Sequence, residues 1–149
     1  MKSLKTPLRY PGGKSRACPK MDTYFPDFRN YDQFREPFLG GGSVAIHITK
    51  KYPSLDIWVN DLYEPLVNFW QQLQMFGPDL KDKLVNLKSK YNTPDKAREL
   101  FLQAKEQINE SVLSNLDRAV AFYVVNKCSF SGLTESSSFS EQASNANFS

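Results

Sequence analysis

Three consecutive glycines, Gly40-Gly41-Gly42, constrain this chain more than any other feature, because a run without Cβ atoms belongs in neither a helix nor a strand interior and must form a turn. Before it, Tyr31 to Phe38 (YDQFREPF) alternates weakly, is rich in aromatics and predicts a strand that ends at Pro37. After it, Ser43 stands at a natural N-cap position, and Val44, Ile46, Ile48 and Tyr52 run at helical spacing to Pro53. Leu55 to Val59 (LDIWV), bounded by Pro53 and by Asn60-Asp61, predicts a second, buried strand parallel to the first. Strand, glycine turn, helix and strand form a βαβ unit, which places the chain in the α/β class.

Beyond Leu62 the pattern becomes helix upon helix. Glu64-Pro65 marks a start, since proline is tolerated where its missing N–H would be unpaired, and Gly77-Pro78 marks an end. Leu80, Leu84, Leu87 and Tyr91 then recur at helical spacing. Thr93-Pro94 caps a further helix with Ala97, Leu100, Phe101, Ala104 and Ile108 on one face. Ser114 to Asp117 has capping-box form before the apolar run Ala119 to Val125. After Lys127 there is no basic residue, eight serines occupy 129–149, and no apolar periodicity predicts a packed element. Trp58, Trp70, Phe69 and Phe76 occupy positions that read as core.

With 149 residues, 40% hydrophobic, 13% aromatic and 23% charged, the chain has the composition of one globular domain. No run approaches the roughly 20 apolar residues that span a bilayer, and no signal-type stretch follows Lys2 and Lys5, so the expectation is a cytoplasmic protein without membrane contact. Cys18 and Cys128 stand in no metal-ligand spacing and read as free thiols; His47, the single histidine, lacks partners for a triad or metal site. The net charge of +3 is uneven: residues 1–20 hold Lys2, Lys5, Arg9, Lys14, Arg16 and Lys20 and no acid. Such an arm suits a polyanion, and equally suits a solvated terminus.

A glycine turn between strand and helix lets a ligand approach the backbone, and the helix-start N–H groups favour electron-rich atoms. The run Phe38-Leu39-Gly40-Gly41-Gly42 matches neither a dinucleotide fingerprint nor a P-loop. Asp61, just past the second strand, reads in two ways: as an acceptor for the ribose hydroxyls of a nucleoside cofactor, or as the N-cap of the next helix.

Leu8-Arg9-Tyr10-Pro11-Gly12-Gly13-Lys14, then Glu36 to Ser43 (EPFLGGGS), then Asn60-Asp61-Leu62 resemble the opening motifs of the Dam-type, or D12 class, adenine-N6 DNA methyltransferases. Asn126 to Leu133 (NKCSFSGL) is similar to that family's Asn-Arg-x-x-Phe-Asn/Ser-Gly-Leu segment, with Lys127 in the usual place of arginine. The resemblance covers the whole chain. It implies the start of a Rossmann-like, S-adenosylmethionine-dependent methyltransferase sheet, the N-terminal part of the cofactor domain, over residues 1–62, followed by an incomplete helical target-recognition (DNA-binding) region over 63–149. It implies a cofactor site of Tyr10, Lys14, Phe38, Gly40, Gly42, Ser43 and Asp61, the glycine turn holding the methionine portion and Asp61 the ribose. It further implies double-stranded DNA as partner, touched by Arg9, Asn126, Lys127, Ser129 and Ser131; the cysteine and histidine placement predicts no metal.

The family's catalytic Asp-Pro-Pro-Tyr motif is absent, and no Pro-Pro dipeptide occurs. With only two predicted strands, the expectation is therefore an N-terminal portion of the enzyme, inactive alone. The alternatives are a truncated, non-catalytic family member and an unrelated nucleoside-binding α/β module.

Overall fold

The computed structural model describes residues 4–132 and 134–148, so Lys2, Leu133 and Ser149 of the sequence reading lie outside the described residues. The chain divides into two compact units: residues 4–7 and 12–62 form one, residues 8–11 and 63–148 the other.

The first unit contains the short helix α1 (Cys18–Met21), strand β1 (Gln33–Glu36), helix α2 (Ser43–Lys51) and strand β2 (Asp56–Val59). The strands pair in parallel with Gln33 opposite Asp56 and Glu36 opposite Val59, as the predicted βαβ unit requires. The ladder continues past β1: Leu39 N donates to Asn60 O at 2.9 Å, which brings the start of the glycine turn beside the end of β2. Ala45 and Ile48 of α2 are buried with Leu39 and Leu55. Phe28, centred 5.5 Å from Tyr52 and 5.6 Å from both Phe25 and Phe34, closes the opposite end with aromatic packing.

One expectation changes here. The N-cap of α2 is Gly42, not Ser43, because the chain enters the helix through a left-handed residue (φ 72°) that only glycine adopts without strain. Gly42 has no capping side chain, and the carboxylate of Glu36 takes over by accepting from Ala45 N in the first turn.

The second unit is helical: α3 (Glu64–Lys90), α4 (Pro94–Gln107), α5 (Asn115–Cys128) and α6 (Glu141–Asn147). The break expected at Gly77-Pro78 is a kink at Phe76 (φ −133°, ψ 36°), after which the helix resumes through Pro78 to Lys90. Thr93 caps α4, whose predicted face is buried from Ala97 to Ile108. Ser114 Oγ accepts from Asp117 N at 3.1 Å and donates to Asp117 Oδ2 at 2.7 Å, so the predicted cap of α5 forms. The core is built on Leu66 and Phe69 of α3, Phe101 of α4, and Phe122, Val124 and Val125 of α5, with Leu8 inserted from the N-terminal segment.

The serine-rich end packs, contrary to expectation. Ser129 and Phe139 form an antiparallel bridge, Phe130 N donates to Ser138 O at 3.0 Å, and Ser140 N donates to Cys128 O at 2.8 Å. Ser140 then caps α6, and Ala143 and Phe148 are buried. The serines act as caps and turn formers around three spaced apolar residues, a pattern too sparse for periodicity to register. Trp58 and Phe76 are also not core: they are 47% and 45% exposed, while Phe69 is buried and Trp70 packs against the core.

Candidate functional site

In the first unit, β1 and β2 end side by side, and the residues that follow them face each other. Asp61 caps no helix, since the N-cap of α3 is Tyr63; its Oδ2 accepts from Gly40 N at 2.9 Å. Gly40 and Gly42 have φ of 52° and 72°, so the turn depends on glycine at both ends. Thr6 Oγ1 donates to Gly41 O, tying the N-terminal segment to the same turn. Phe38, at the head of the turn, is 85% exposed, an aromatic face turned to solvent rather than into a core. Ser43 is half-buried with its hydroxyl 2.8 Å from that of Ser15. The structure thus brings Phe38, Gly40, Gly42, Ser43 and Asp61 together around one turn. Lys14 belongs to the same unit and donates to Gly12 O, whereas Tyr10 belongs to the second unit.

Sequence reasoning passed over Glu36. Besides capping α2, it keeps a buried Oε2 without a hydrogen-bond partner. Burial pushes its carboxyl above the usual carboxylate range; the Ala45 N–H opposes this and the charge of Asp61 reinforces it. An acid directly before Pro37-Phe38 at the end of a strand, where an apolar residue would be expected, was the available signal.

In the second unit, the segment from Asn126 to Gly132 folds into a tight turn at the end of α5. Asn126 and Ser129 are fully buried. Asn126 accepts from Arg9 N at 2.9 Å and donates to Arg9 O at 2.5 Å and to Gly132 O at 3.1 Å. Arg9 Nη1 in turn donates to Ser129 O at 2.8 Å and Lys127 O at 3.4 Å, satisfying carbonyls at the helix end. Arg9, Asn126 and Ser129 therefore shape the turn from within. Its surface is Phe130, 67% exposed, and Ser131, exposed with φ 58°. Lys127 is half-buried with Nζ 5.2 Å over the Tyr123 ring, and burial, followed by the charge of Arg9, pushes its pKa down.

Among the described residues no group of His, Cys, Asp or Glu could hold a metal ion, and no helix is long and apolar enough to cross a membrane. His47 Nε2 lies 2.9 Å from Asp22 Oδ2, and Lys51 Nζ lies 3.2 Å from the same oxygen.

The first unit thus carries a parallel strand pair with a glycine turn faced by a carboxylate, and the helical unit carries an exposed Phe-Ser turn. The chain belongs to the D12 class N6 adenine-specific DNA methyltransferase family, whose model matches residues 10–148. It is 30% identical over 127 residues to the DNA N-6-adenine-methyltransferase of Escherichia phage P1, covering 85% of this chain and 15% of that protein. It is 23% identical over 137 residues to the type II methyltransferase M.MjaIII of Methanocaldococcus jannaschii, covering 87% of this chain and 47% of that protein. Against M1.LlaDCHI of Lactococcus lactis subsp. cremoris the identity is 23% over 134 residues, covering 88% and 43%. The chain spans less than half the length of these relatives.

Proposed function

We propose that these residues form the cofactor-binding and DNA-recognition part of an enzyme that transfers a methyl group from S-adenosylmethionine to adenine N6 in double-stranded DNA. The observation that carries the reading is the 2.9 Å bond from Gly40 N to Asp61 Oδ2, which sets a carboxylate across a side-chain-free turn at the strand ends. A nucleoside cofactor fits that donor set: backbone and glycine on one side for close approach, an acid on the other for ribose hydroxyls.

In this reading Gly40 and Gly42 keep the turn open for the methionine portion, with Ser43 at the helix start. Phe38 offers an aromatic face, Asp61 orients the ribose, and Lys14 adds a cation from the N-terminal segment. S-adenosylmethionine supplies the methyl group on an electrophilic sulfonium. The turn from Asn126 to Gly132 meets DNA through Phe130, Ser131 and Lys127, while Arg9, Asn126 and Ser129 hold its shape. Holding a flipped adenine needs acceptors and an aromatic face of the Asp-Pro-Pro-Tyr kind, a motif that these 149 residues lack. Cytoplasmic location and a restriction-modification or phage setting follow from the same reading.

The test is tritiated-methyl transfer to adenine-containing duplex DNA by the protein expressed in its natural reading frame. Label at adenine N6, lost in Asp61→Ala, is expected; label at cytosine, or none, overturns the assignment. The 149 residues alone should transfer no methyl group.

A further inference from the structure

The basic arm does not act as one unit. Arg9 is spent on the carbonyls of the Asn126 turn and Lys14 on Gly12 O, whereas Lys5 and Arg16 line a cavity of about 400 Å³ in the first unit. One face of α2 forms the other wall, with Ser43, His47 and Lys50 at the spacing of successive turns. Ser15 and Ser43 place their two hydroxyls 2.8 Å apart within the same lining. No carboxylate lines the cavity. The acid beside it, Asp22, is held by His47 and Lys51; burial raises its pKa, and those two partners outweigh burial and hold the carboxyl below the usual range.

We propose that this cleft is a phosphate site, taking a phosphodiester of the DNA backbone on Lys5, Arg16 and Lys50 with the serine hydroxyls as added donors. Three cations drawn from three separate segments, two of them from the stretch holding all the excess positive charge, match a polyanion better than the single carboxylate of a cofactor. Contacts of this kind fix the protein's register on the duplex and read no sequence. The proposal rests on the methyltransferase reading for its DNA partner, and adds a contact that adjoins the glycine turn at Ser43 but draws its cations from outside both that turn and the Asn126 turn.

The experiment is DNA binding by the protein in its natural reading frame as a function of salt, wild type against the triple variant Lys5→Gln, Arg16→Gln, Lys50→Gln. The plot of log affinity against log salt should become shallower by about 1–3, affinity should fall alike for all sequences, and S-adenosylmethionine affinity should be unchanged. Lys88→Gln with Lys90→Gln, charges outside the cleft, should alter the slope less. A second arm uses inorganic phosphate as competitor: suppression of DNA binding beyond its effect on ionic strength, lost in the triple variant, would assign the cleft to a small anion instead. An unaltered slope in the triple variant overturns the site alone, whereas a wild type that binds no DNA overturns the methyltransferase reading together with it.

Discussion

The side-chain amide of Asn126 bonds to both backbone groups of Arg9, accepting from its N–H at 2.9 Å and donating to its carbonyl at 2.5 Å, as a neighbouring strand would. The pairing joins residues 117 positions apart in sequence. Asn126 is fully buried and Arg9 half-buried, so losing the pairing leaves backbone groups unpaired with restricted access to solvent.

Asn126→Ala should therefore destabilise the protein by about 2–4 kcal/mol, the cost of orphaning several buried groups, as read by urea denaturation. Gly132→Ala should act on the same contact from the other side, since a Cβ there would lie 2.7 Å from Arg9 Cβ on a backbone with φ 71°. Because both changes disturb Arg9, the double variant should lose less than the sum of the two. Strict additivity would show that Arg9 is not their shared partner.

Asp61→Ala should weaken S-adenosylmethionine binding by about 1–3 kcal/mol in the protein from its natural frame, through the loss of charge-assisted bonds. Gly40→Val should weaken it further, because a β-branched side chain cannot hold φ of 52° and would fill the turn. Isothermal titration separates these outcomes; unchanged affinity in Asp61→Ala removes that residue from the site.

Glu36 gives the protein a pH dependence whose sign follows from burial. Its folded-state pKa lies above the ordinary 4.5, so its contribution is fully present below that pH, where both states hold the proton, and is lost as the pH rises through the folded value. Glu36→Gln keeps an acceptor for Ala45 N without the charge. Its melting temperature should exceed that of wild type at pH 7 and match it near pH 4. A variant less stable at pH 7 would mean that the carboxylate finds a cationic partner in the folded protein.

Phe148→Ala should cost about 3–5 kcal/mol, the range for a truncated core aromatic. Phe148 is 6% exposed and belongs to the same core as Phe101. Hydrogen exchange over residues 134–148 offers a second readout, with Ser140 N and Phe148 N protected through their bonds to Cys128 O and Ser144 O.

The elements legible in the sequence were those with punctuation at an end. Pro37 and the glycines close β1, while Thr93-Pro94 opens α4 and Ser114 with Asp117 opens α5, the two helices each by a local bond that the structure retains. Asp61 beside the glycine turn was legible because a parallel βαβ unit sets its two strand ends together. What could not be read depends on distant partners. Asn126 looks like a surface amide until Leu8 and Arg9 are placed against it. Glu36 looks like a solvated acid until Gly42 proves unable to cap α2. Trp58 looks like core because it stands in a short apolar run, but β2 pairs only with β1 among the described residues, and its side chain is exposed.

The four residues from Leu8 to Pro11 belong to the helical unit, while their neighbours on both sides belong to the other. The chain consequently passes from one unit to the other three times, and no single cut yields both units whole. A polypeptide starting at residue 63 would lack Leu8 from its core and Arg9 from the end of α5. Such a piece should behave as half of a complementation pair: poorly folded by itself, and restored when a short synthetic peptide spanning residues 6–12 is added to occupy the vacated place.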